Sequence, residues 1–147
     1  MAIVRGCALP DDLLYDVANQ LWYRELPDGT VKVGLTAVAC AMAGTIVAFT
    51  PKRVGRPLEA GRSCATIESG KWVGAARIAF DGEVIAINEA LEARPELVHA
   101  DPYGAGWMLI ARAVDWPAVK AKLVPGHAVA AAYEAKMEKD GFAGCSG

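Results

Sequence analysis

Between about residues 20 and 113, apolar and polar positions change over in short runs separated by turn-forming residues. In "TVKVGLT" the apolar residues Val31, Val33 and Leu35 fall on every second position, the period of a strand with one buried face. "EVIAIN" reads as a strand through its β-branched residues. The runs are punctuated by "PDGT" (Pro27 to Thr30), "VGRP" (Val54 to Pro57), "EAGRS" (Glu59 to Ser63) and "FDGE" (Phe80 to Glu83). Their spacing is that of an all-β sandwich or barrel, so the β core is expected over about residues 20–113.

Helical patterns collect at the ends and at two internal places. "DDLLYDVANQ" begins with acidic residues that suit a helix N-terminus and predicts a helix there. Thr36 is placed to cap a short helix over "AVACAMAG" that Gly44 closes, and "NEALEAR" predicts another that ends before Pro95. After Asp115 the chain turns helical, first as "DWPAVKAKLV" with Pro117 in the opening turn, then as "HAVAAAYEAKMEKD" closed by Gly141. The expected layout is a single domain over 1–147: the β core, C-terminal helices over about 115–140, and a flexible glycine-containing tail over 141–147.

Length and charge narrow the class. A chain of 147 residues buries one core without needing disulfides or metals. A net charge of −2 provides no field for phosphate, so nucleic acid is not an expected partner. Cys7, Cys40, Cys64 and Cys145 form no CxxC pair and share no ligand spacing with His99 or His127, so no metal site is expected. Arg5 and Pro10 interrupt the N-terminus where a signal peptide needs an apolar stretch, and a cytoplasmic location with reduced thiols is the resulting expectation. The run from Val33 to Pro51 has no charge, but its glycines, threonines and alanines make it weakly hydrophobic, and membrane insertion is not expected.

The motifs of autonomous catalysts are missing: no GxSxG, HExxH, P-loop or GxGxxG occurs, and "PYGAGW" lacks the strand-to-helix context of a phosphate loop. No catalytic residue is therefore assigned, and the chain reads as a non-enzyme. What remains is Lys71 in "TIESGKWVG", near the middle of a hairpin bracketed by the turns at Gly61 and Gly82. Such a lysine is either a solvated loop charge or a handle that another enzyme acylates, turning a charged stem into a longer uncharged arm.

From about Trp22 to Arg112 the sequence resembles the H protein of the glycine cleavage system, within the lipoyl and biotinyl carrier superfamily. The resemblance rests on "DGTVKVGLT", "VGRPLEAG", "IESGKWVGAA" and "GEVIAINEALEARPELVHADPYGAGW". Glu68-Ser69-Gly70-Lys71 matches the family's Glu-Ser-any-Lys, and residues from Asn88 to Trp107 match its second long pattern. The resemblance implies a mainly β fold, the barrel-sandwich hybrid: a flattened sandwich of two small antiparallel sheets with short flanking and C-terminal helices. It further implies lipoate amide-linked to Lys71, with Glu68, Ser69, Gly70 and Trp72 read by the lipoate-attaching enzyme and Gly70 permitting a tight backbone. Biotin carriers flank their lysine with methionines, which Gly70 and Trp72 do not match. The arm keeps its reactive end at high local concentration among partner sites, dihydrolipoamide dehydrogenase among them.

The departures cluster where partners would feel them. The family's His-Glu-Trp is Gln20-Leu21-Trp22 here, and the residues after the lysine are Trp72-Val73-Gly74-Ala75. In these departures the chain resembles the lipoate-binding proteins that accompany heterodisulfide-reductase-like complexes in cytoplasmic sulfur oxidation. That resemblance implies an arm carrying sulfur and reducing equivalents, with Cys145 as an accessory thiol or, as the plainer alternative, an inert terminal cysteine. Two further readings stand beside it: an H protein that carries the aminomethyl group among the glycine cleavage enzymes, and an unlipoylated interaction module of the same fold. Val38, Cys40 and Met42 are expected either to form an exposed docking patch or to improve internal packing, while Cys40 and Cys64 suit burial as small hydrophobes. Trp72 shields the root of the arm, meets a partner, or packs on the hairpin.

Overall fold

The computed structural model describes residues 1–145. The chain opens with β1 (Ala2–Val4) and β2 (Cys7–Leu9), then passes through β3 (Leu14–Asp16), β4 (Leu21–Glu25) and β5 (Val31–Leu35) into helix α1 (Ala37–Ala43). Strands β6 (Ile46–Pro51), β7 (Pro57–Leu58), β8 (Ser63–Ser69), β9 (Val73–Arg77) and β10 (Gly82–Ile87) follow. Helices α2 (Glu89–Ala93) and α3 (Leu97–Ala100), strand β11 (Leu109–Ala113), helix α4 (Trp116–Lys120), strand β12 (Val124–Pro125) and helix α5 (Val129–Asp140) complete the fold.

All pairings within the two main sheets are antiparallel. Seven strands form one sheet in the order β12-β3-β4-β5-β11-β10-β7, and three form the other in the order β6-β8-β9. This is the expected sandwich, with sheets of unequal width. Its core joins Tyr23, Val31 and Val33 of the larger sheet to Phe49, Ile67 and Ala76 of the smaller, all buried. Trp22 stands opposite Gly34 in the β4–β5 register and is fully buried. A Cβ on Gly34 would lie 2.4 Å from the Trp22 ring, so the glycine there is a packing requirement.

The local stop and start signals work as the sequence predicts. The Thr36 side chain accepts a hydrogen bond from Ala39 N, and Gly44 ends α1 at φ 76°. Asp115 caps α4 through Ala118 N, with Pro117 in the first turn, and Gly141 ends α5 in the left-handed region. "DDLLYDVANQ" departs from expectation: it forms β3 and a turn instead of a helix. Tyr15 pairs across to Trp22 and is fully buried, so strand pairing outweighs the acidic start. Val124, the last residue of the predicted "DWPAVKAKLV" helix, likewise falls in β12, paired to β3.

A second core lies where the chain ends meet. Cys7 and Leu9 of β2, Tyr15, Trp22 and Val38 pack with Val129, Tyr133 and Met137 of α5. Across this cluster Cys7 and Cys145 form a disulfide with Cα atoms 5.0 Å apart. The reduced thiol expected of Cys145 is thereby corrected: packing of the N-terminal hairpin on α5 brings two cysteines 138 positions apart within bonding distance. The tail is tied down as well. Cys145 N donates to Arg5 O at 2.9 Å, and the Arg5 guanidinium bonds Phe142 O, Glu134 and Glu138. Residues 146–147 of the expected flexible tail lie outside the described residues.

The uncharged run from Val33 to Pro51 is spent on β5, α1 and β6, and among the described residues no helix is long and apolar enough to cross a membrane. Val38 and Cys40 are buried while Met42 is exposed, so α1 contributes two residues to packing and one to the surface.

Candidate functional site

Lys71 occupies the tip of the β8–β9 hairpin, in the three-residue connection that follows Ser69 and precedes Val73. The strands pair as Glu68↔Val73, Ile67↔Gly74 and Thr66↔Ala75, which fixes the register up to the loop. Ser69 then builds the loop itself. Its hydroxyl accepts from Lys71 N at 3.2 Å and Trp72 N at 3.3 Å, while its own N–H donates to Trp72 O at 2.9 Å. One buried serine thus satisfies the loop's otherwise unpaired donors and holds the lysine outward.

Lys71 is exposed, and among the described residues its ammonium makes no ion pair or hydrogen bond. Its Cε lies 3.7 Å from the place a Cβ would take on Gly44, the residue that ends α1. Gly70 N donates to Thr45 O at 3.4 Å and ties the tip to the same α1–β6 connection. The tight backbone expected at Gly70 is not found: its φ is not positive, and a Cβ there would meet nothing within 4 Å. Serine, rather than glycine, shapes this turn. Gly74 lies under the Trp72 ring, 1.7 Å from where a Cβ would stand, so a side chain there would displace that half-exposed ring. Glu68 is exposed and alternates with Ile67, so it faces solvent on the other side of β8 from the core.

Between α1 and the hairpin runs a groove of about 310 Å³. Leu35, Met42, Ile67 and Trp72 line it together with four alanines, and Asn19 and Gln20 supply its polar end. Trp72 keeps 42% of its surface exposed and Met42 40%, with Val47 and Val73 exposed alongside. An apolar groove rooted beside an exposed lysine suits an apolar acyl chain attached to that lysine. A larger cavity of about 490 Å³ lies at the other end of the hairpin, by Gly61, Ile78 and α4, away from Lys71.

The remaining expected features have structural roles. Burial pushes the Cys40 and Cys64 thiols up to about 12, so both are buried small hydrophobes rather than nucleophiles. His99 Nε2 accepts from Ile46 N at 3.0 Å. "DPYGAGW" is a packed loop: Asn88 donates to Ala105 O and Trp107 O, and the Tyr103 hydroxyl bridges Ala8 O and Ala37 N. Two participants escaped sequence reading. Gln20 stood out only as a departure from a motif, and nothing in the sequence places Tyr133 of α5 behind it, 3.2 Å from its Oε1.

Comparison with known proteins agrees with this geometry. The family model described as "Glycine cleavage H-protein" matches residues 13–138. A glycine cleavage system H protein 5 of Aquifex aeolicus is 44% identical over 145 residues, covering 96% of this chain and 97% of its own. The glycine cleavage system H protein of Cronobacter sakazakii is 37% identical over 132 residues, covering 90% and 98%. A crystal structure of a glycine cleavage system H protein from Mycobacterium marinum superposes with a TM-score of 0.74 at 30% identity, over 90% of this chain and 99% of that one.

Proposed function

We propose that Lys71 is the lipoyl attachment site of this chain, which belongs to the glycine cleavage H-protein family of non-catalytic carriers with lipoate bound covalently to a lysine. The observation that carries the assignment is the exposed Lys71 at a serine-held hairpin tip, within Glu-Ser-any-Lys and beside an apolar groove. When bound, lipoate supplies a dithiolane that accepts electrons and holds a group on sulfur. This chain's residues present the arm: Ser69 holds the loop open, Trp72 and Met42 offer apolar cover, and Glu68 with Trp72 gives an attaching enzyme a surface to read. The test is mass spectrometry of natively expressed protein. A lipoyl increment on the Lys71 peptide is expected, and an unmodified Lys71 in lipoate-proficient cells would favour the bare interaction module instead.

For the client, the relatives' names favour glycine cleavage, with the arm passing an aminomethyl group and then electrons among the glycine-decarboxylating, aminomethyl-transferring and dihydrolipoamide-oxidising enzymes. The names of the relatives given above do not point to the sulfur-oxidation client with its heterodisulfide-reductase-like complex. One observation keeps that client as a second reading: the groove beside Lys71 has no charged residue in its lining. Incubating lipoylated protein with glycine decarboxylase and glycine separates the two. Glycine-dependent exchange of carbon dioxide is expected of the first reading, while no exchange, together with a sulfur adduct on the arm after separate exposure to a thiosulfate-derived sulfur donor, is expected of the second.

A further inference from the structure

Helix α1 has Lys71 at one end and the Cys7–Cys145 bond at the other. At its C-terminal end the Lys71 Cε lies 3.7 Å from the place a Cβ would take on Gly44. At its N-terminal end Cys145 Sγ lies 3.6 Å from Ala37 O. The Tyr103 hydroxyl fixes that end beside β2, accepting from Ala37 N and donating to Ala8 O. Ala37, Ala41 and Gly44 stand at i, i+4 and i+7, so they share one stripe of the helix, and Ala41 is exposed between the other two. This stripe is not the groove wall, to which α1 contributes Ala39, Met42 and Ala43. The helix from Ala37 to Gly44 spans about 10 Å. An amide-linked lipoyl chain runs seven bonds from Nζ to its nearer sulfur, a reach of about 9 Å.

The bonded pair is asymmetric. Cys7 is fully buried and Cys145 only half-buried, so Cys145 is the sulfur that a thiol from outside can reach. The chain ends are also held without the bond: Cys145 N donates to Arg5 O at 2.9 Å, and the Arg5 guanidinium is bound by Phe142 O, Glu134 and Glu138. A pair opened by reduction therefore stays aligned to close again. We propose that Cys7–Cys145 is a second redox centre of this chain, exchanging one electron pair with the dithiol form of the arm on Lys71. Cys145 Sγ is attacked by one thiolate of the reduced arm, its bond to Cys7 breaks, and Cys7 leaves as a thiolate that takes up that thiol's proton. The arm's second thiol then displaces Cys145, so the dithiolane closes and two cysteine thiols replace the disulfide. The inference rests on the Lys71 reading and adds to it a place on the same chain where the arm's electrons go.

The test reduces the arm of lipoylated full-length protein with NADH and an excess of dihydrolipoamide dehydrogenase, then traps free thiols with iodoacetamide in denaturant for peptide mass spectrometry. The lipoyl mass on Lys71 is read first, so a failure of that assignment is seen separately. Should Lys71 carry no lipoate, a dithiolane arm is joined through a haloacetamide to Lys71→Cys, where the introduced thiol is the accessible one because Cys40 and Cys64 are buried and Cys7 is bonded to Cys145. Cys7 and Cys145 should both become alkylated, with two NADH consumed per chain and a rate per chain unchanged by tenfold dilution. Cys145→Ser should consume one NADH per chain. In Lys71→Arg, which has no arm, the disulfide should open at least tenfold more slowly. A fully reduced arm beside a closed disulfide, equal opening in Lys71→Arg, or opening that slows in proportion to dilution would each overturn the proposal.

Discussion

Breaking the Cys7–Cys145 bond has a magnitude that the topology sets. The two cysteines are 138 positions apart, so the bond closes almost the whole chain into one loop. Chain entropy for a loop of that length gives about 5 kcal/mol of stabilisation at 25 °C, acting on the unfolded state. An ordinary domain is stable by about 5–15 kcal/mol, so the bond represents a large share of the total. With a urea slope of about 2 kcal/mol/M, reduction should lower the unfolding midpoint by about 2.5 M. The folded state itself should change little, because Arg5 still bridges to Phe142, Glu134 and Glu138. The assay is urea unfolding followed by circular dichroism with and without a phosphine reductant, and again for Cys145→Ser. Thiol counting in denaturant provides the control: two thiols should react before reduction, those of Cys40 and Cys64, and all four after it. Four reactive thiols before reduction would refute the bond. Two thiols with a midpoint shift under about 0.5 M would refute the loop-closure reasoning.

Other perturbations probe the hairpin, the sheets and the buried phenols. Lys71→Arg should abolish the lipoyl mass increment and leave stability within about 0.5 kcal/mol in urea unfolding, since the side chain is exposed and unpaired among the described residues. Ser69→Ala removes the hydroxyl that accepts from Lys71 N and Trp72 N; it should cost about 1–2 kcal/mol and slow lipoylation by a purified attaching enzyme. Gly34→Ala drives a methyl into the Trp22 ring and should destabilise by about 3 kcal/mol, read from the urea midpoint, with a shift in Trp22 emission. Desolvation by burial raises Tyr103 to about 12 and also raises Tyr15, Tyr23 and Tyr133, as it raises Cys40 and Cys64 to about 12. These groups fold in their neutral forms, so the stability they contribute is present at neutral pH and is lost as pH rises from about 9 toward 12. Urea midpoints that stay flat to pH 12 would contradict this.

Much of the candidate site could be read along the chain because it is local. The Lys71 hairpin, the Thr36 cap and Gly44 end of α1, and the Asp115–Pro117 start of α4 all depend on contacts within a few residues, where sequence spacing is spatial spacing. The same locality misled at "DDLLYDVANQ". Its acidic opening suits a helix, but Tyr15 faces Trp22 from a neighbouring strand, and burial of both rings outweighs local preference. Gly70 and Ser69 exchanged expected roles because the turn is held by a side-chain oxygen, and the sequence does not reveal which backbone angle results.

The sequence by itself determined the sandwich, most of its helix ends, and the lysine presented at a hairpin tip. Tertiary structure alone decided the rest. It chose Val38 and Cys40 for the interior and Met42 for the surface, joined Cys7 to Cys145, and set Tyr133 behind Gln20 at the end of an uncharged groove. The division has a physical cause. Alternation, capping and turn chemistry act between near neighbours, whereas a groove or a disulfide exists only once folding brings distant segments into contact and burial changes what each side chain can do.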